Sequence, residues 1–236
     1  MAETAAVNST LRASTPVLRS ALEDALRQLS PQPLRETAGV RVADWSPLAC
    51  IVLRGQQADA AFLGGVHAAL GLALPLQPST WVSAAGPQGQ VVALWLSPDE
   101  WWLLLPRAGR DGVLAALATA LAGVFAQVVD NSGSLACLRL AGPEHRTVLR
   151  HLGPIDVESL RPGRCVSTVW PKVNVTVVST DAEGVVLVFR RSFADWIWRL
   201  LERSARPYGL ALCTPAQLPT PVFTALLDVP HTSSPR

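Results

Sequence analysis

The chain has 236 residues, enough for one large or two small domains, with 49% hydrophobic and 16% charged residues. Twenty basic against 18 acidic residues leave a net charge of +2, which gives no electrostatic case for nucleic acid or an anionic membrane. The four cysteines lie at 50, 137, 165 and 213, with no CxxC pair, so zinc spacing is absent and buried thiols in a reducing, cytoplasmic setting are expected.

Residues 1–15 are polar, lack the apolar core of a signal peptide and read as disordered. Thr15-Pro16 supplies an N-cap followed by proline at the first helical position. Leu18, Leu22, Ala25, Leu26 and Leu29 then share one helical face, with Glu23 and Arg27 placed as an i,i+4 ion pair. Ser30-Pro31-Gln32-Pro33 stops this helix. Its apolar stripe has to be buried, against its own domain or against a partner.

Residues 43–54, ADWSPLACIVLR, return in altered form at 129–139, VDNSGSLACLR. Each copy carries an aspartate (Asp44, Asp130), a turn-prone run, and Leu-Ala-Cys opening an apolar strand. Each is followed by a helix, short strands and a final helix. A period this long means two similar lobes. The expected organisation is an N-terminal extension over 1–33, a first α+β lobe over 34–124, a second over 125–212, and a proline-rich tail over 213–236.

In the first lobe, strands are expected over 40–42, 48–53, 81–84, 91–96 and 101–105, and helices over 58–70 and 111–121. Residues 112–129 carry no charge, but Gly123 splits them into the end of a helix and a strand over 125–130, so no membrane span is expected. Trp101 and Trp102 are adjacent in a strand and point to opposite faces, so both are buried only if the sheet is covered on both sides.

In the second lobe, strands are expected over 136–140, 165–169, 174–179 and 185–189, and a helix over 143–152. Ser192 is the expected N-cap of a closing helix with Phe193, Trp196, Ile197, Leu200 and Leu201 on its core stripe. Trp198 lies off that stripe and is nominated as exposed or covered by a partner. The tail has one apolar knot, over 222–227, and is expected to be disordered or docked on a partner.

Reactive groups are sparse. No HExxH, GxSxG, Walker loop or GxGxxG occurs. His145 and His151 share a helix at a spacing that does not give one ligand face, and solvent-exposed histidines are expected. Asp44 and Asp130 read better as turn caps than as an acid–base pair. No catalytic, cofactor-binding or metal-binding residue is assigned. Eight tryptophans instead suggest either a Trp-rich core or docking surfaces. Trp101, Trp102 and Trp198 are the interface candidates.

Residues 95–105, WLSPDEWWLLL, and 190–200, RRSFADWIWRL, resemble the gamma subunit of heterotetrameric sarcosine oxidase. Residues 128–151, VVDNSGSLACLRLAGPEHRTVLRH, are similar to that family's middle segment, and 34–55 to its opening. The resemblance implies a two-lobed α+β fold of the folate-binding aminomethyltransferase type. It also implies a non-catalytic accessory subunit working with alpha, beta and delta subunits. Those partners would demethylate sarcosine oxidatively, with flavins, NAD and tetrahydrofolate bound outside this chain. A gamma-like subunit of a related N-methyl amine dehydrogenase complex is an alternative. So is a stand-alone folate-fold protein of the iron–sulfur repair type, although Pro162-Gly163-Arg164-Cys165-Val166 lacks that family's Lys-Gly-Cys-Tyr motif. A monomeric aminomethyltransferase would need a catalytic aspartate segment that has no match here.

Overall fold

The computed structural model describes residues 19–27 and 37–227. The expectations for residues 1–15, Thr15-Pro16, Leu18, Leu29, residues 30–33 and His231 lie outside these, as does the Arg27 side chain.

After a short helix α1 (Glu23–Arg27), the chain runs twice through the same order of elements. The first pass is β1 (Val40–Asp44), β2 (Ala49–Arg54), α2 (Ala60–Leu70), β3 (Trp81–Gly86), β4 (Gly89–Ser97), β5 (Glu100–Leu105) and α3 (Arg110–Ala120). The second is β6 (Gln127–Asp130), β7 (Leu135–Ala141), α4 (His145–Leu152), β8 (Cys165–Trp170), β9 (Val173–Asp181), β10 (Gly184–Arg190) and α5 (Ala194–Ala205). A further strand, β11 (Leu210–Cys213), was not anticipated.

The strands form two sheets, ordered β3-β4-β5-β2-β6 and β11-β1-β7-β10-β9-β8. Each sheet therefore takes one strand from the other pass. β1 pairs antiparallel with β7, Asp44 opposite Leu138, and β6 pairs antiparallel with β2, Asp130 opposite Ile51. β11 extends the second sheet by pairing in parallel with β1.

Alternation along the strands sorts side chains into three apolar layers. Ile51, Leu53, Trp101 and Leu103 pack with Phe62, Val66, Val113 and Leu117 beneath α2 and α3. Cys50, Val92, Leu94 and Leu104 of the first sheet meet Cys137, Val178, Val186 and Val188 of the second. Val42, Leu138, Leu140 and Leu187 pack with Val148, Leu149, Ile197 and Leu201 of α4 and α5. The order is helices, sheet, sheet, helices, and both faces of each sheet are covered.

Local chemistry sets the helix ends. The Asp59 carboxylate accepts the N–H groups of Ala61 and Phe62 and opens α2, and Gly71, at φ 65°, closes it in a left-handed conformation. α2 and α3 approach so closely that a Cβ on Gly65 would sit 2.8 Å from the Ala120 carbonyl oxygen. Ser192 does not cap α5. It sits in a 3-10 turn, Arg191–Phe193, and no side chain accepts from the first helical amides.

The α5 stripe is also shifted from the expected one. Ala194, Ile197, Trp198, Leu201 and Ala205 are buried, whereas Phe193 and Trp196 are 40% and 43% exposed. The expected phase followed the bulkiest residues on one flank. The N-terminal segment covers the other flank, with Leu22 fully buried and Ala21, Ala25 and Leu26 packed on the same layer. The described part of the α1 stripe, Leu22, Ala25 and Leu26, thus packs on its own chain.

The described part of the tail, through residue 227, packs on the rest of the chain. Leu218, Phe223 and Leu226 are buried in the inter-sheet layer, and the Phe223 ring lies 6.2 Å from Trp45 and 5.8 Å, edge-on, from Trp81. Leu218, Phe223 and Leu226 thus pack on their own chain, where the sequence suggested disorder or docking on a partner. The knot of apolar side chains closes the mouth between its own two sheets.

Candidate functional site

The two repeat motifs meet where the passes cross. The Asp44 carboxylate accepts the Ser46 N–H at 2.9 Å, and the Asp130 carboxylate accepts the Ser132 N–H at 3.0 Å. Each turn aims its serine at the cysteine of the other copy. Ser46 Oγ accepts the Cys137 N–H at 2.9 Å, and Ser132 Oγ accepts the Cys50 N–H at 3.1 Å. The next residues complete the crossing, Trp45 N–H to the Cys137 carbonyl at 2.9 Å and Asn131 N–H to the Cys50 carbonyl at 2.8 Å.

This seam ties up the aspartate carboxylates and the cysteine amides of both motifs. Burial raises the Asp44 carboxyl above its usual range, against the lowering hydrogen bonds from Ser20 and Ser46. Burial pushes Asp130 upward too, but hydrogen bonds from Ser132 and the nearby Arg110 guanidinium outweigh it and hold it below the usual range. Both aspartates act as turn-formers. Burial lifts the Cys50 thiol far above neutrality and the Cys137 and Cys165 thiols to about 12, so none is a thiolate nucleophile near neutral pH.

His145 is buried, not exposed as expected. Its Nδ1–H donates to the Gly142 carbonyl at 2.7 Å, and burial lowers its pKa. His67 and His151 are exposed. Arg139 is 2% exposed and grips Asp181 through Nη2 at 2.8 and 2.7 Å, with Thr180 accepting from Nη1. Among the described residues, no group of three or more His, Cys, Asp or Glu could hold a metal ion, and no helix is long and apolar enough to cross a membrane.

The interface candidates separate. Trp101 is fully buried beneath α2 and donates its indole N–H to the Pro75 carbonyl at 2.8 Å. Trp198 is 4% exposed, because α1 and the residues before it lie over its flank. Both are core residues of this chain. Trp102 is half-buried on the inter-sheet face and donates to Glu100 at 3.0 Å. It lines a cleft of about 360 Å³ between the sheets, with Ser167, Thr168, Asn174 and Arg190. Val169, 56% exposed, lines it too, and Trp196, expected on the α5 core stripe, is 43% exposed and donates its indole N–H to the Pro171 carbonyl. Only their apolar character, at positions read as core or strand interior, could have marked them.

A more polar cleft of about 680 Å³ opens where the N-terminal segment meets the end of β10, lined by Arg19, Arg190 and Arg191 together with Glu23. There the Arg191 guanidinium donates to the Arg19 carbonyl at 3.0 Å and Arg190 to Ser134 at 3.1 Å.

Residues 54–206 match the model of the sarcosine oxidase, gamma subunit family. The chain is 35% identical over 129 residues to a sarcosine oxidase subunit gamma of Arthrobacter sp, a stretch covering 55% of this chain and 57% of that relative. It is 30% identical over 199 residues to the subunit gamma of Corynebacterium sp. (strain U-96), covering 84% of this chain and 88% of the relative. The first of these matches therefore spans little more than half the relative's length.

Among solved structures, a chain of the heterotetrameric sarcosine oxidase from Corynebacterium sp. U-96 superposes with a TM-score of 0.71 at 23% identity, over 82% of this chain and 97% of that one. The glycine cleavage system aminomethyltransferase T from Bartonella henselae gives 0.60 at 16% identity, over 81% of this chain and 50% of that one. The two-sheet architecture is thus an α+β fold of the aminomethyltransferase type.

Proposed function

The chain belongs to the sarcosine oxidase gamma subunit family, and from that premise we propose that it is a non-catalytic accessory subunit of a heterotetrameric oxidase that converts sarcosine to glycine. The observation that carries this reading is the relationship to a subunit gamma over 84% of the chain. The chemistry of the chain supports it. Its thiols are buried with pKa values raised well above neutrality, its repeat aspartates hold turns, and apolar side chains of the tail pack into the inter-sheet layer.

On this reading, flavins, NAD and tetrahydrofolate are bound by the alpha and beta subunits, and the assembly works in the cytoplasm. Partners meet this chain at the inter-sheet cleft, which Trp102 and Val169 line, and at the exposed Trp196 ring beside Pro171. A large ring at a contact centre is the usual source of interface affinity. The test is co-expression with alpha, beta and delta subunits, followed by native mass measurement. A complex with one copy of each supports the reading. Recovery of the other three as a stable assembly that never includes this chain contradicts it.

A further inference from the structure

The two sheets are related by the internal repeat, but they are not equally complete. β1 sits beside β7 as β6 sits beside β2, so Val42 corresponds to Val128 and Asp44 to Asp130. Beyond β1 the second sheet has one more strand, β11, parallel to it with Val40 opposite Leu210 and Ala43 opposite Cys213. Beyond β6 the first sheet has none among the described residues.

Backbone direction follows from the ladder. In an antiparallel pair, alternate residues turn their N–H and C=O toward the partner strand. Asn131 donates to Cys50, so Val129 and Gln127 also face β2, while Val128 turns its N–H and C=O outward. The same phase holds in β1, where Trp45 donates to Cys137 and Val40 donates outward to Gly209 at the start of β11. Val128 thus presents the groups that Val42 uses toward β11.

The side chains around this edge do not defend it. Sheet edges that stay single are usually blunted by lysine, proline or a covering loop. β6 is short, at four residues, but it carries neither lysine nor proline, and its one charge, Asp130, is tied to Ser132 and lies 3.5 Å from Arg110. Instead Phe125 is 88% exposed and Val129 40% exposed.

We propose that the outer edge of β6 is a strand-addition site that takes an extended apolar segment of another subunit of the oxidase, lying parallel to β6 as β11 lies parallel to β1. The length of that segment is set by the template, the four residues of Leu210–Cys213. Main-chain bonds to Val128 supply the pairing, and Phe125 and Val129 supply the apolar contact. The proposal rests on the accessory-subunit reading.

The test uses the co-expressed complex. Val128→Pro removes the outward N–H but leaves the β2–β6 ladder, and proline is tolerated at such edge positions. Val128→Thr keeps the amide and serves as control. In wild type, the Val128 amide should exchange with solvent at least about tenfold more slowly in the complex than in the isolated chain. Val128→Pro should lower co-purification by about tenfold or more, with Val128→Thr near wild type. Equal exchange of Val128 in both states of an assembled wild-type complex overturns the edge proposal and leaves the subunit reading standing. Wild type that never co-purifies overturns both. A homodimer of the isolated chain dissolved by Val128→Pro overturns it by giving the edge a second copy as occupant.

Discussion

Ser46 and Ser132 hold each other's halves of the molecule. One hydroxyl accepts the backbone amide of Cys137 and the other that of Cys50, so each copy of the repeated motif is anchored on its counterpart. The exchanged strands β1 and β6 make this inevitable, because each aspartate-serine turn follows a strand that pairs with the opposite copy.

Ser132→Ala should therefore act across the molecule. It leaves the buried Cys50 N–H without its acceptor, at a cost of about 1–3 kcal/mol. Urea unfolding followed by tryptophan fluorescence should show the loss as a lower midpoint. An unchanged midpoint would show that the crossing is not held by this hydroxyl.

Phe223 is the plug of the inter-sheet mouth, with Trp45 and Trp81 against its ring. Phe223→Ala should destabilise the chain by about 3–5 kcal/mol, as for other buried phenylalanines. It should also shift tryptophan emission to the red as water reaches the two indoles. A variant ending at residue 217 should behave alike. If both keep wild-type stability and emission, the tail does not close the fold in solution.

The Arg139–Asp181 pair gives a pH signature. Burial raises the Asp181 pKa, but the hydrogen bond and charge of Arg139 outweigh it and hold the folded value below the ordinary 3.8. A depressed folded pKa contributes stability above the unfolded pKa, lost as pH falls through the folded one. Wild type should hold this contribution near neutrality and shed it below about pH 4. Asp181→Asn strands a buried guanidinium, costs about 3 kcal/mol near neutrality, and should flatten the acid limb. Stability curves from pH 2 to 7 that run parallel for the two proteins would contradict this assignment.

Trp102 and Trp198 should respond in opposite ways to truncation. Trp198→Ala empties a site beneath the N-terminal helix and should lower stability by about 3–5 kcal/mol. Trp102→Ala should cost the isolated chain less and weaken co-purification with the other subunits by about 2 kcal/mol, roughly thirtyfold. The reverse pattern would restore Trp198 as the contact residue.

Much of this architecture was legible in the chain itself. The paired Leu-Ala-Cys motifs marked two lobes, and alternation put Trp101 and Trp102 on opposite faces, although not that both faces would be covered. Pairing was not legible, because period-two patterning shows that Val40–Asp44 is a strand but not which sheet receives it. The phase of α5 was misjudged for a related reason. A stripe is defined by what covers it, and the cover for Trp198 arrives from Ala25 of the N-terminal segment, some 173 residues earlier in the chain (198 − 25). β11 was too short, at four residues, to stand out at the end of the second lobe, and the plug was hidden by a proline-rich, weakly charged context that reads as tail, although Phe223 and Leu226 carry the apolar side chains that bury it.

The central claim is that this polypeptide contributes shape to an assembly and no reactivity of its own. The most direct measurement is sarcosine-dependent peroxide formation by the purified chain, alone and after mixing with the alpha, beta and delta subunits. The account predicts no turnover and no flavin absorbance from the chain alone, and full activity in the mixture. Turnover by the isolated chain would contradict it.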